Sequence, residues 1–472
     1  MIVLLTLLAI PLRIISFGYL PGDDALRHAA KAVSGKPWGD ILVLGPAFHD
    51  QNFVWHDFLR QIYFITHCST DALVVVEVVL LFALVALSPL PWLRRPETWL
   101  IVLTLVSVTS VNFTRMFLGR PFVLTQFVFM TVLCAWQFRG KLPARWPTFL
   151  GLGLLIALCT LVHGIWYLWA LPIMALFFAG EIRWGIGLGI AWLSGALLGA
   201  LFTGHPLDSL MYAFTIGMRT MNSYATGGAA MVPELQPFSG DFLGLCVLGG
   251  VFLVHHLGNP NPKPWKNNAV FWMVCIGWVL GFKAYRFWCD WGWPALMVLA
   301  VSELQPVLEA RLPIASMKRL ALAVGVAIMT FLATTNNASS GWSNNLTKGY
   351  LTQDNPDFKG WMPDDGGIVY TVDIHIFFDT FFKNPTANWK YILGFEPALM
   401  PDEDFTVYRT IRRTNGKAWA YLPWVNKMHS QDRMFVRGGG LPPLPQLEWK
   451  YDDASDIWIG RLPVLHPAAS NK

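Results

Sequence analysis

Apolar runs of about 16 to 22 residues recur along this chain, separated by short polar breaks. Runs of that length match the hydrocarbon thickness of a bilayer when they coil into helices, and few soluble folds use so many of them. Composition agrees: of 472 residues 54% are hydrophobic and 14% are charged, against roughly 25% charged in soluble domains. Eleven spans are read, near 1–20, 71–90, 98–113, 121–138, 147–162, 165–181, 185–203, 241–257, 269–284, 293–309 and 319–335. The expected class is an all-α polytopic membrane protein of about 11 transmembrane helices, with a small α/β or α+β extramembrane domain at its C-terminal end.

Basic residues orient the spans, because cytoplasmic loops retain Lys and Arg. One set of alternate breaks holds Arg94, Arg95, Arg139, Lys141, Arg145, Arg183, Lys263, Lys266, Arg311, Lys318 and Arg319. The other set holds mainly Arg115, Arg120, Arg219, Lys283 and Arg286. The first set is therefore expected to be cytoplasmic, with the N-terminus inside and, after an odd number of spans, the C-terminus outside. Met1 begins the first span with no basic flank and no small-residue cleavage site follows, which reads as a retained helix and not a signal peptide. Arg13 within it is costly in lipid and is expected to face the bundle or the cytoplasmic edge.

The expected division is 1–335 for the membrane domain, with a long first outer loop 21–70 and a second outer loop 204–240, and 336–472 for an extracytoplasmic domain. Within the latter, "GGIVYTVDIHIFFDTFFKNPTANWKYILGFEP" reads strand, helix, strand, with Asp373 as helix N-cap. "FTVYRTIRR" and "KAWAYLPWV" read as further strands. Cys68, Cys134, Cys159, Cys246, Cys275 and Cys289 all fall in or beside the membrane, so neither a disulfide framework nor a CxxC metal pattern is expected. No internal repeat, Walker loop or credible GxGxxG is found. Nucleic acid is not an expected partner.

Unusual polar groups concentrate just after the first span. "GDDALRHAAKAV" places Asp23, Asp24, Arg27 and His28 at helical spacing, and "FHDQNFVWHDFLRQIYF" adds His49, Asp50, His56, Asp57 and Arg60. Two short helices lying on the outer membrane surface are expected, the second amphipathic through Phe53, Phe58, Ile62 and Ile65. Helix capping accounts for one of the paired acids, but not for the cations and imidazoles around them. A carboxylate within reach of a hydroxyl acts as a general base, and paired acids with histidines also allow a divalent cation, Mg or Mn, without a diagnostic ligand spacing.

Arg115 and Arg120 stand at an outer edge against the topological bias, where phosphate and lipid headgroups are equal candidates for the guanidinium fork. "FKAYRFWCDWGWP" sets Lys283, Arg286 and Asp290 at helical spacing in an aromatic belt, as a substrate site or an internal Arg286–Asp290 pair. His205 joins the candidate substrate contacts. His163, also at an outer end, reads as a packed or interfacial histidine.

Together these features resemble the GT-C superfamily of multi-spanning glycosyltransferases that use polyprenyl-phosphate-linked sugars. "DDALRHAAKAVSG" looks like the "DDAyitfRyArNLaeG" signature of bacterial members, some of them pentose transferases, at a shortened spacing. Asp23, Asp24, Ala25, Arg27 or His28, Ala29 and Gly35 stand for that pattern. "YRFWCDWGWPAL" is similar to "rRFieYfaPf", with Asp290 where those members carry Glu. The resemblance implies transfer of a sugar from a lipid-phosphate donor to an envelope glycan, lipid or protein, with inversion, at the outer face of the plasma (inner) membrane. Asp23 or Asp24 would serve as base, and Arg27, His28, His49, Asp50, His56, Arg115, Arg120, His205, Lys283, Arg286 and Asp290 would bind substrate. Two alternatives stay open: a transporter or flippase of a lipid-linked substrate, and a non-catalytic envelope assembly protein.

Overall fold

In the computed structural model, residues 1–16, 19–22, 24–45, 48–107, 115–138, 144–225, 236–258, 264–313, 316–337, 342–344 and 348–463 are described. Asp23 lies outside them, as do Arg139, Lys141, Lys263 and Asn345.

Fourteen α-helices of nine residues or more, counted among the described residues, make up the first two thirds of the chain. They are α1 (Ile2–Ser16), α2 (Asp24–Ser34), α3 (Phe53–Thr66), α4 (Thr70–Leu87), α5 (Glu97–Ser107), α6 (Phe122–Gln137) and α7 (Trp146–His163). They continue with α8 (Ala170–Phe178), α9 (Ile182–Leu201), α10 (Pro206–Ala225), α11 (Phe242–Gly258), α12 (Ala269–Gly281), α13 (Trp293–Arg311) and α14 (Met317–Asn337). Every apolar run expected to be a span holds a helix among the described residues. Among those residues four helical stretches, Thr70–Trp92, Trp146–His163, Ile182–Leu201 and Met317–Thr335, are long and apolar enough to cross a membrane. Six more apolar helices are shorter, among them Phe122–Gln137 and Phe242–Gly258, and α13 carries Glu303, Glu309 and Arg311 in its 19 residues. Eleven complete spans are thus not confirmed among the described residues.

The long helices nonetheless carry apolar stripes with no protein against them. Leu150, Leu154 and Leu158 on α7, Ile186, Ile190, Leu193 and Leu197 on α9, and Leu320, Ile328 and Leu332 on α14 are exposed. A helix covered in Leu and Ile on its outward face belongs in lipid. The chain is a membrane protein.

After α14 the chain builds a mixed layer. Strands β3 (Ile368–Tyr370), β4 (Lys390–Tyr391), β5 (Arg433–Arg437), β6 (Glu448–Asp452) and β7 (Ile457–Arg461) form one sheet in the order β4-β3-β5-β7-β6. β3 pairs in parallel with β4 and β5, and β7 pairs antiparallel with β5 and β6. The crossover helix α15 (Ile374–Lys383) is capped by Asp373, whose side chain accepts from the His375 amide at 2.9 Å. The expected strand–helix–strand unit is present.

Two expected strands are helices: "FTVYRTIRR" lies in α16 (Asp402–Arg413) and "KAWAYLPWV" in α17 (Ala418–Lys427). β-branched and aromatic content favoured a strand, but Asp404, Phe405, Tyr408 and Ile411 bury one helical face. Asp402, Glu403 and Asp404 in the first turn and Arg412 and Arg413 in the last complement the helix dipole.

The 21–70 segment joins the two layers. α2 does not lie on a membrane surface as expected. Its Ala25, Leu26, Ala29 and Ala30 are fully buried, and it packs on α3, α4 and α15. Downstream, Leu42 forms a parallel bridge to Tyr391 at the β4 edge, with Tyr391 N donating to Ile41 O at 2.9 Å and Val43 N to Tyr391 O at 3.0 Å. Lys36 Nζ donates to the carbonyls of Thr386 and Ala387 and to Asn388 Oδ1 at 2.7–2.9 Å. Near the other end of the chain's helical part, β1 (Tyr19–Pro21) pairs antiparallel with β2 (Trp342–Asn344).

Candidate functional site

Asp24 is the first residue of α2, where a negative charge favours the helix dipole. Its carboxylate does more than cap. Arg27 Nε donates to Asp24 Oδ1 at 2.7 Å, one turn along the same helix, and Arg120 Nε lies 3.5 Å from Asp24 Oδ2. Arg120 comes from the 115–121 segment, which runs directly against α2. Gly119 there has φ +62°, and a Cβ on it would stand 2.8 Å from Ala25 Cβ and 3.1 Å from Val78 Cγ2. Only glycine lets that backbone approach so closely in a left-handed conformation.

Asp290 mirrors this arrangement. It sits in a π-helical turn, Trp288–Gly292, leading into α13. The wider turn changes which residues face the bundle, a local irregularity common at functional sites. Arg115 grips Asp290 with two prongs, Nε to Oδ1 at 2.7 Å and Nη2 to Oδ2 at 2.9 Å, and Arg286 Nε donates to Oδ2 at 3.0 Å. Asp290 is 1% and Arg115 7% exposed, so this is a desolvated, charge-assisted network. The expected internal Arg286–Asp290 pair exists, enlarged by an arginine from 175 residues upstream.

The third carboxylate, Asp50, holds a chain of rings. Its Oδ2 accepts from Trp38 Nε1 and from His56 Nδ1, each at 2.9 Å, and its Oδ1 accepts from the Asn52 amide at 2.9 Å. His56 Nε2 lies 2.8 Å from His28 Nδ1. Since Nδ1 of His56 donates to Asp50, a neutral His56 accepts at Nε2 and His28 donates from Nδ1. Burial lowers the pKa of His28 well below 6.5, helped by Arg27, and burial also lowers that of His56 against the pull of Asp50. Both rings are therefore neutral at neutral pH. Burial alone would raise the Asp50 carboxyl, but the attraction of His56 and the donors around it outweigh burial and hold it below the usual carboxylate range.

These groups surround one cavity of about 200 Å³ between the helices and the mixed layer. Asp24, Arg27, His49, Asp50, Arg286 and Asp290 line it, with His163, Tyr167, Tyr212, Phe395 and Glu396. Arg27 Cζ lies 4.0 Å from the centre of the Phe395 ring, so the mixed layer closes one wall. His28, His56, Arg115 and Arg120 stand behind the lining. His205 and Lys283 are exposed and line no part of it.

Tyr212 and Glu396 are lining residues the sequence did not single out, each standing alone among apolar or ordinary loop residues. His163, read as a packed or interfacial histidine, lines the cavity as well. No group of three or more His, Cys, Asp or Glu side chains among the described residues is placed to hold a metal ion. Asp24, Asp50 and Asp290 already accept from arginine, imidazole or indole donors, a set that does not fit Mg or Mn.

The fold is similar to that of the Archaeoglobus fulgidus oligosaccharyltransferase in its apo crystal form, with a TM-score of 0.51 and 12% sequence identity over 92% of this chain and 69% of that one. A structure of the same archaeal enzyme in complex with Zn and sulfate aligns over 82% of this chain and 62% of its own, at 11% identity and a TM-score of 0.36, too loose for a shared fold to be drawn from it. No protein-family model matches the sequence. No curated protein matches it either. The chain has a GT-C-like fold.

Proposed function

We propose that this protein is a membrane glycosyltransferase that moves a sugar from a polyprenyl-phosphate-linked donor to an envelope glycan, lipid or protein. The observation that carries the reading is a single cavity with Asp24 in one wall and Asp290 in another, each held between two arginines. Arg27 and Arg286 in the lining present guanidinium forks, whose donor geometry suits a phosphate leaving group. Similarity to the fold of an oligosaccharyltransferase supports the class of reaction.

In this reading the donor phosphate is held by Arg27 and Arg286, both in the lining, while Arg115 and Arg120 fix the carboxylates. The acceptor hydroxyl oxygen attacks the anomeric carbon from the face opposite the phosphate. The bond from that carbon to the phosphate oxygen breaks, its electron pair leaves with the lipid phosphate, and the configuration inverts. Asp24, or its neighbour Asp23, takes the hydroxyl proton. Guanidinium groups facing the departing oxygen stabilise the charge that develops there. No metal is assigned a step.

The proposed setting is the plasma membrane, with the N-terminus cytoplasmic and the cavity at the outer face. Residues 1–335 form the membrane domain, and the mixed layer of 336–472 receives the acceptor. The test is transfer of radiolabelled sugar from a panel of polyprenyl-phosphate donors by purified protein, wild type against Asp23→Asn and Asp24→Asn. Loss of about 10²–10⁴-fold in turnover on one substitution, with donor still bound by native mass spectrometry, is the expected result. Full transfer by both variants would remove the proposed base.

A further inference from the structure

His163 is the last residue of α7, and its place is fixed by the 48–52 segment rather than by its own helix alone. Asn52 Nδ2 donates to the Val162 carbonyl at 2.8 Å, satisfying one of the carbonyls that the helix end leaves open. The helix then stops at Gly164, whose φ of +68° supplies the left-handed cap. Phe122 meets the His163 ring edge-on, with centroids 5.2 Å apart. The imidazole is thus held in one orientation in the cavity wall.

Its surroundings are otherwise spoken for. Asp24 and Asp290 accept from arginines, and Asp50 accepts from Trp38, Asn52 and His56. His163 Nδ1, by contrast, is buried without a hydrogen-bond partner among the described residues. Buried imidazoles in finished cores are nearly always satisfied, so an unused nitrogen in a cavity wall points to a missing partner. Arg27 Nη1, another group of the same wall, is likewise buried without a partner among the described residues.

We propose that His163 contacts substrate, hydrogen-bonding a hydroxyl group of the sugar that is transferred. A hydroxyl both donates and accepts, so it pairs with the imidazole in either tautomer, whereas a phosphate oxygen only accepts. The phosphate already has the guanidinium groups of Arg27 and Arg286. This inference rests on the glycosyltransferase reading and assigns the sugar subsite to the α7 end of the cavity.

The test separates the two ideas. Protein in nanodiscs is treated with diethyl pyrocarbonate, alone or with decaprenyl phosphate, decaprenyl-phosphoryl pentose or decaprenyl-phosphoryl hexose, and modification at residue 163 is read by peptide mass spectrometry. Lipid binding is followed in parallel by native mass spectrometry. The expected result is modification of His163 in the free protein and at least about fivefold protection by a sugar-bearing lipid but not by the lipid phosphate alone. With the same donor, His163→Ala lowers kcat/KM for transfer about tenfold or more, and His163→Gln, which keeps a donor and an acceptor, recovers most of it at an unchanged thermal midpoint. A sugar lipid that binds but leaves residue 163 as reactive as in the free protein overturns the assignment and spares the proposed function. A ring that is unreactive in the free protein overturns it as well. If none of the lipids binds, the glycosyltransferase reading falls and this assignment with it.

Discussion

Replacing Asp290 tests the buried network more directly than any activity assay. Asp290→Asn keeps the shape of the side chain but removes its charge and turns one acceptor oxygen into an amide donor facing Arg115. That guanidinium is 7% exposed and donates to both carboxylate oxygens at 2.7 and 2.9 Å. Opposite charges about 4 Å apart attract by about 4 kcal/mol at an effective dielectric near 20, and stripping one partner from a buried pair costs about 3–5 kcal/mol. Arg286 contributes little to this loss, because its side chain is 30% exposed and can rehydrate.

The expected destabilisation is therefore about 3–4 kcal/mol. The double variant Arg115→Met/Asp290→Leu, which leaves no stranded charge, should lie within about 2 kcal/mol of wild type. Reversible unfolding in mixed micelles by SDS titration, run as a double-mutant cycle, measures the coupling. A coupling energy below about 1 kcal/mol would refute the reasoning, since Arg115 would then have found water or another partner at no cost.

Two further outcomes follow from the same groups. The folded-state pKa of His28 is depressed by burial, while the unfolded chain titrates near 6.5, so its contribution is constant above that value and is lost as pH falls below it. His28→Gln should flatten the stability profile between pH 6.5 and 5.5 by about 1 kcal/mol, read from unfolding midpoints at each pH, and an unchanged slope would mean the ring already titrates freely. Gly119→Ala places a Cβ 2.8 Å from Ala25 Cβ at φ +62°. It should cost about 2 kcal/mol or more and weaken binding of decaprenyl phosphate by displacing Arg120, whereas wild-type melting and binding would contradict the tight approach.

How far the sequence exposed this depends on the range over which each feature is decided. Helices were legible because hydropathy is a local property: each apolar run from 71–90 onward coincides with a helix. Their lengths were less so, since "SVTSVNFTR" and "HHLGNPNPK" blur where an apolar run stops. In the mixed layer, "FTVYRTIRR" misled because six β-formers outvoted a single turn of acids upstream. The cavity's charged residues were visible as ionisable groups at the ends of apolar runs, where they are expensive unless used. Their partners were not visible. Nothing in "NFTRMFLGRP" says that Arg115 closes on Asp290 and Arg120 on Asp24, because such pairings are set by helix packing. His163 was read as a packed or interfacial histidine because a single histidine ending a helix has no pattern, and the cavity wall it lines is set only by packing.

The same distinction explains why the site sits where two layers meet. Asp24 and Arg27 lie near the start of the chain, yet the ring that stacks on Arg27 is Phe395 and the sheet edge that receives Leu42 is Tyr391. α2 cannot hold these positions by itself. Its eleven residues include four buried alanines that offer little packing area, and an isolated helix of that length is marginal in water. Its order comes from α4 on one side and α15 on the other. The arginine–carboxylate geometry is therefore a product of docking the mixed layer onto the bundle. A change at the β4 edge that loosens the bridge to Leu42 would disturb Asp24 without touching it. If the site transfers sugar as proposed, that coupling would make the C-terminal layer part of the chemistry rather than an accessory to it.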